Sequence, residues 1–209
     1  MTSKALSATV AAIAVAAASS VYAVSNGAAT LSPSIDPYTP SAEYRVALIE
    51  VDHKLDREAM HQLGEQMSQS KDTTLETVAK AIAGNGSFTV LRKPASISVV
   101  EGELFPMEDL NGIEVTMPVK FENGTDSVRS YAEVGYRLDV DAIQIDTTHG
   151  KAETVMQIKH SALANAGNVA SMVLREKDTM APGDVHIMSW SLAGKQYAMA
   201  IQAERFKVN

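Results

Sequence analysis

Residues 113–140 read IEVTMPVKFENGTDSVRSYAEVGYRLDV. Ile113, Val115, Met117, Val119 and Phe121 alternate with other residues, the period-two pattern of a strand with one buried face. Pro118 inside that run predicts an edge strand or a bulge, because proline cannot donate to a ladder. Asn123-Gly124 is a strong hairpin signal. Alternation resumes over residues 130–140, where Tyr136, Leu138 and Val140 face in and Arg137, Asp139 and Asp141 face out. The parity shifts at Ala142–Ile143, which predicts a bulge.

Working outward, the chain downstream reads as a turn at His149-Gly150, a strand over 154–160 and a small, polar loop over 161–171. Three strands follow, over 169–175, 186–192 and 196–206, with turns at Pro182-Gly183-Asp184 and Ala193-Gly194-Lys195. Upstream stand strands over 87–91 and 95–101, the second preceded by Pro94 and ended by Gly102. Two helices precede these. In residues 55–69, Leu55, Ala59, Met60, Leu63 and Met67 recur at helical spacing, and Gly64 weakens the helix by about 1 kcal/mol. Asp72 or Thr73 caps the second helix, which buries Leu75, Val78, Ala79 and Ile82 and stops at Gly84. The first element, EYRVALIEVD over 43–52, is apolar on both faces at its centre and reads as a central, covered strand. The predicted class is α+β: two helices near the N-terminus followed by a mainly antiparallel β-sheet or sandwich.

The first 23 residues read as a cleavable export signal, with Lys4 in the n-region, an Ala/Val-rich core, and Val21 and Ala23 at the cleavage site. Residues 24–42, with Pro33, Pro37 and Pro40 among small polar residues, read as a flexible arm. Residues 43–209 then form a single domain, exported to the periplasm or outer membrane. The formal charge is −7 without a Lys/Arg cluster, which argues against nucleic acid as a partner. There is no cysteine, which excludes thiol catalysis, thiolate metal sites and disulfides.

No nucleophile elbow, P-loop, dinucleotide fingerprint or zinc-protease helix is present in the sequence, so neither an enzyme activity nor a cofactor is expected. His53 and His61 are eight residues apart, a poor spacing for a helical metal pair, and no metal site is expected there. His149 and His160 flank one hairpin and could meet across it. His186 reads as a hydrogen-bonded, half-buried strand residue. Asp139 and Asp141 share a strand face, which suits a cation, paired carboxylates or, as the plainer reading, a solvated sheet surface. The aromatics Tyr131, Tyr136, Trp190, Tyr197 and Phe206 all fall in the strand-rich half, where they suit either a membrane-interface girdle or, as the preferred reading, sandwich core.

The order of motifs resembles the C-terminal homology domain of bacterial secretins, the outer-membrane channels of secretion and pilus systems. Leu48-Ile49-Glu50-Val51 is similar to that family's I-V-E-V strand end. Val90-Leu91-Arg92-Lys93-Pro94 is similar to its V-L-S-x-P, and Val134-Gly135-Tyr136-Arg137-Leu138-Asp139-Val140 to its V-G-x-x-L-x-V strand. Ala193-Gly194-Lys195-Gln196-Tyr197 stands where the family has its last hairpin turn. The modular N-domains, the V-P-x-L-G gate segment and the closing Gly-Gly-Leu are absent. The resemblance implies a secretin-like fold and a structural or channel-associated role in an envelope assembly. Self-association or pairing with an envelope protein would use strand edges, carried by Ile113, Val115, Met117, Val119, Phe121, Tyr136, Leu138 and Val140. The alternative reading is a soluble periplasmic binding or adaptor domain that forms no channel.

Overall fold

A computed structural model describes residues 39–70, 73–121, 124–164 and 168–208, with backbone alone at 117–121, 124–126, 128 and 208. The expected signal and most of the expected arm lie outside the described residues. In chain order the elements are β1 (Pro40–Val51), α1 (Arg57–Ser68), α2 (Leu75–Ala83), β2 (Phe88–Val100), β3 (Leu104–Phe121), β4 (Gly124–Asp146), β5 (Lys151–Leu163), β6 (Val169–Met180), β7 (Val185–Leu192) and β8 (Lys195–Val208). Two four-stranded antiparallel sheets result, in the orders β2-β1-β8-β7 and β3-β4-β5-β6.

The expectation of an α+β protein, with helices leading into the sheet, is corrected. The described chain is mostly β, and its two short helices stand between β1 and β2 rather than ahead of the sheet. The reason is long-range pairing. β1 lies between β2 and the C-terminal β8, with Val46 opposite Ile201 and Ile49 opposite Ala198. Local periodicity carries no information about a partner some 150 residues away.

β1 explains the layering. Tyr44, Val46 and Leu48 face the second sheet and join the inter-sheet core with Leu138, Val140, Met156, Ile158 and Met199. Ala47, Ile49 and Val51 face the other way, onto Leu55, Met60, Leu75, Val78 and Ile82 of the helical layer. A strand buried on both faces must be apolar on both, as the sequence shows. Inside the core, the Tyr44 hydroxyl and Thr154 Oγ1 lie 2.6 Å apart, so neither buried hydroxyl is left unsatisfied.

The helices start at caps the sequence reading did not name. Asp56 caps α1, its carboxylate accepting from Ala59 N–H at 2.9 Å. Thr74, not Thr73, caps α2 and forms a reciprocal capping box with Thr77; Asp72 lies outside the described residues. Gly64 weakens α1 as a helix but fits its packing, since a Cβ there would stand 2.8 Å from the Val185 carbonyl oxygen on β7.

Other boundaries differ for stated reasons. Pro94 lies inside β2, where the register against β1 shifts twice between Val46 and Ile49, because an edge strand tolerates proline at a bulge. The stretch after Gly102 is already strand from Leu104, and the expected loop over 161–171 is largely taken up by β5 and β6. Gly124 pairs with Phe121 and begins β4 rather than closing the turn. The expected bulge is present as a register shift between Ala142 and Gln144. The chain changes sheet at two turns: after β2, where Gly102 N–H donates to the Ala142 carbonyl, and after β6, where Gly183 N–H donates to Ala203.

Candidate functional site

β3 and β4 pair along their whole length, from Leu104 opposite Asp141 to Phe121 opposite Gly124. β5 pairs with β4 only as far as Gly135. Residues 111–134 are therefore a two-stranded ribbon, about 35 Å long at the usual rise, with no third strand among the described residues. At its base Gly135 has φ 125°, and a Cβ there would stand 2.0 Å from the Asp109 carbonyl oxygen. Only glycine lets β4 pass β3 this closely.

β3 is an edge strand, one of the two placements that Pro118 allows, and its outer row of backbone groups has no partner strand among the described residues. The expected contact side chains are distributed differently. Tyr136, Leu138 and Val140 are corrected to core residues: they fill the gap between the sheets, and β4 has a strand on each side there. Val115 is also buried, and Ile113 is half-buried. The side chains of Met117, Val119 and Phe121 lie outside the described residues. The free feature of this region is the backbone edge, flanked by exposed Glu108, Leu110, Glu114 and Tyr131.

Where the ribbon joins the sandwich, His160 contacts three aromatic rings. Its ring makes edge contacts with Tyr136, Trp190 and Tyr197, and its Nδ1 accepts the Trp190 indole N–H at 3.2 Å. Burial holds the imidazole pKa below its ordinary value, and a neutral ring with an accepting Nδ1 carries its proton on Nε2. His160 lines a cavity of about 210 Å³ together with Glu50, Asp109, Asn111 and Tyr197. Sequence reading placed these aromatics in the core but missed their convergence on one histidine, which spans four strands.

A second cluster joins β7 to β6. His186, on β7, faces the second sheet; its Nδ1 lies 2.8 Å from Asp178 and its Nε2 2.7 Å from Glu176, both on β6. Arg57 of α1 also donates to Glu176, at 2.5 Å. Burial pushes the His186 pKa down, but the hydrogen bonds and charges of Asp178 and Glu176 outweigh it, and the net shift is upward. The hydrogen-bonded setting expected for His186 is found, but the ring is buried rather than half-buried, and its partners on β6 were not legible.

The remaining expected residues do not assemble. His53 stands on Asp52, whose pKa is lowered to about 2 by Ser87 and His53, while His61 faces Glu65 on α1. His149 pairs with Asp146 in the β4–β5 turn, at the opposite end of β5 from His160, so the two histidines do not meet. Asp139 is buried rather than solvated, held by Arg137 at 2.9 Å and Gln157 at 3.4 Å. Among the described residues no group of three His, Asp or Glu side chains is arranged so that it could hold a metal ion, and no helix is long and apolar enough to cross a membrane.

The fold and surface define an antiparallel two-sheet β protein with a helical layer on one face and a long open-edged ribbon. No family model, no curated protein and no solved structure matches the chain.

Proposed function

We propose that this chain is an exported, non-enzymatic component of an envelope assembly of the secretion or pilus type, structural or channel-associated. It joins to further copies, or to an envelope partner, by backbone pairing along β3. The single observation that carries this reading is the 18-residue β3, which among the described residues has a strand on one side only and, with β4, runs well past the rest of its sheet. Such an edge is a template for strand addition, in which main-chain hydrogen bonds supply affinity. The ordered resemblance to secretin motifs supports the same reading, with Gly135 of the Val134–Val140 match standing at the ribbon base.

The test is the mass of the protein extracted from envelope fractions in mild detergent, by light scattering after size exclusion. A large, heat-resistant oligomer in the outer-membrane fraction is the expected result. A soluble species near the monomer mass overturns it and leaves a periplasmic binding or adaptor domain.

A further inference from the structure

The helical layer does not cover the whole of the first sheet. α1 lies on β7, and α2 lies mainly on β1 and β8, so the β2 side of that face is open beside α2. A groove of about 490 Å³ runs there, formed by Ala47, Ile49, Leu75, Ala79, Phe88 and Val90. Its volume and apolar walls are those of a small-molecule site. Val90, a β-branched residue, is 43 % exposed in it.

Polar groups stand only at the rim. Between Val46 and Ile49 of β1, β2 has two extra residues: Val46 pairs with Ala95, Leu48 with Arg92 and Ile49 with Val90. That double bulge turns Lys93 and Pro94 into the groove lining, opposite Lys80 of α2. Lys93 makes no ion pair among the described residues. Lys80 makes only an exposed pair with Glu76, at 3.3 Å, the third charge at the rim. Such a pair one helical turn apart is weak and readily exchanged. In a chain of net charge −7, an apolar floor with two lysines at its mouth is complementary to one chemistry.

We propose that this groove binds a single-chain amphiphilic anion: a long-chain carboxylate whose hydrocarbon lies on Ile49, Phe88 and Val90 and whose head group meets Lys93 and Lys80. The proposal does not depend on how the chain assembles.

Dodecanoate, dodecyl maltoside and dodecyltrimethylammonium, each below its micelle concentration, are titrated calorimetrically into the purified full chain. The expected order has dodecanoate tighter than both others by at least about tenfold. The double variant Lys80→Glu/Lys93→Glu, changed only at exposed positions, should lose that preference and favour the ammonium. Val90→Asp should abolish dodecanoate binding while leaving the unfolding midpoint nearly unchanged. Three results overturn the proposal: no dodecanoate binding, an affinity independent of head group and of charge reversal, or binding only to anionic phospholipid vesicles that Val90→Asp does not weaken.

Discussion

His186 Nε2 meets the Glu176 carboxylate at 2.7 Å across the gap between β7 and β6, edge strands of two different sheets. With Asp178 on the other ring nitrogen, the His186 ring ties the two sheets together along this side. Removing it leaves Asp178 without its ring partner and Glu176, among the described residues, with only its exposed Arg57 contact. Breaking a fully buried pair costs roughly 3–5 kcal/mol. Asp178 is 41 % exposed, so water screens part of the loss, and His186→Gln should cost about 2 kcal/mol by urea unfolding near neutral pH.

The two interior histidines should give opposite pH dependences. The His186 pKa is raised, so its contribution is complete below the unfolded value near 6.5 and is lost as pH rises through the folded value. The His160 pKa is lowered, so its contribution is present above about 6.5 and is lost as pH falls through the folded value. Stability measured against pH in the His186→Gln variant should retain only the loss toward acid. Titrating ring-proton NMR signals, with one midpoint above and one below about 6.5, checks the same assignment.

Gly135→Ala should destabilise strongly. The new Cβ would stand 2.0 Å from the Asp109 carbonyl oxygen at a φ of 125°. A cost of about 3 kcal/mol is expected, together with faster amide exchange at the ribbon base. Gly112 on the same ribbon has nothing within 4 Å of its Cβ position, so Gly112→Ala is the matched control and should change little.

Ala193 has φ 51° and Gly194 φ 81°, the two left-handed positions of a two-residue turn closed by Leu192 and Lys195. Alanine is strained there, and Asn-Gly is the favoured pair. Ala193→Asn should raise stability by about 0.5–1 kcal/mol, seen as a higher thermal midpoint.

If β3 joins a second copy, its lack of native cysteine makes the pairing readable. Single cysteines at Glu108, Leu110, Glu114 and Thr116, all exposed, test a ladder of registers. Self-pairing should give disulfide dimers at one or two of these positions, where the Cα atoms come within about 7 Å. A uniform absence of cross-linked dimer along the ladder would sink pairing between β3 edges.

Much of the element content was legible because it is local. Alternation over Ile113–Phe121 and Ser130–Val140, the edge position implied by Pro118, the bulge after Ala142 and the stop at Gly84 all depend on neighbours a few residues away. The double apolarity of Val46–Ile49 likewise announced a strand covered on both faces.

The sequence by itself determined the centres of most strands and the alternation along them, but not their ends: β3 begins at Leu104, and β5 and β6 take up most of the expected loop over 161–171. Tertiary structure alone decided that β1 pairs with β8, that the helices form a layer rather than a prelude, and that His160 and His186 find their partners on other strands. Side-chain periodicity reports the facing of a residue within about one turn or one strand. Pairing across a hundred residues is settled by which apolar faces can be buried together, and that competition exists only in the folded chain.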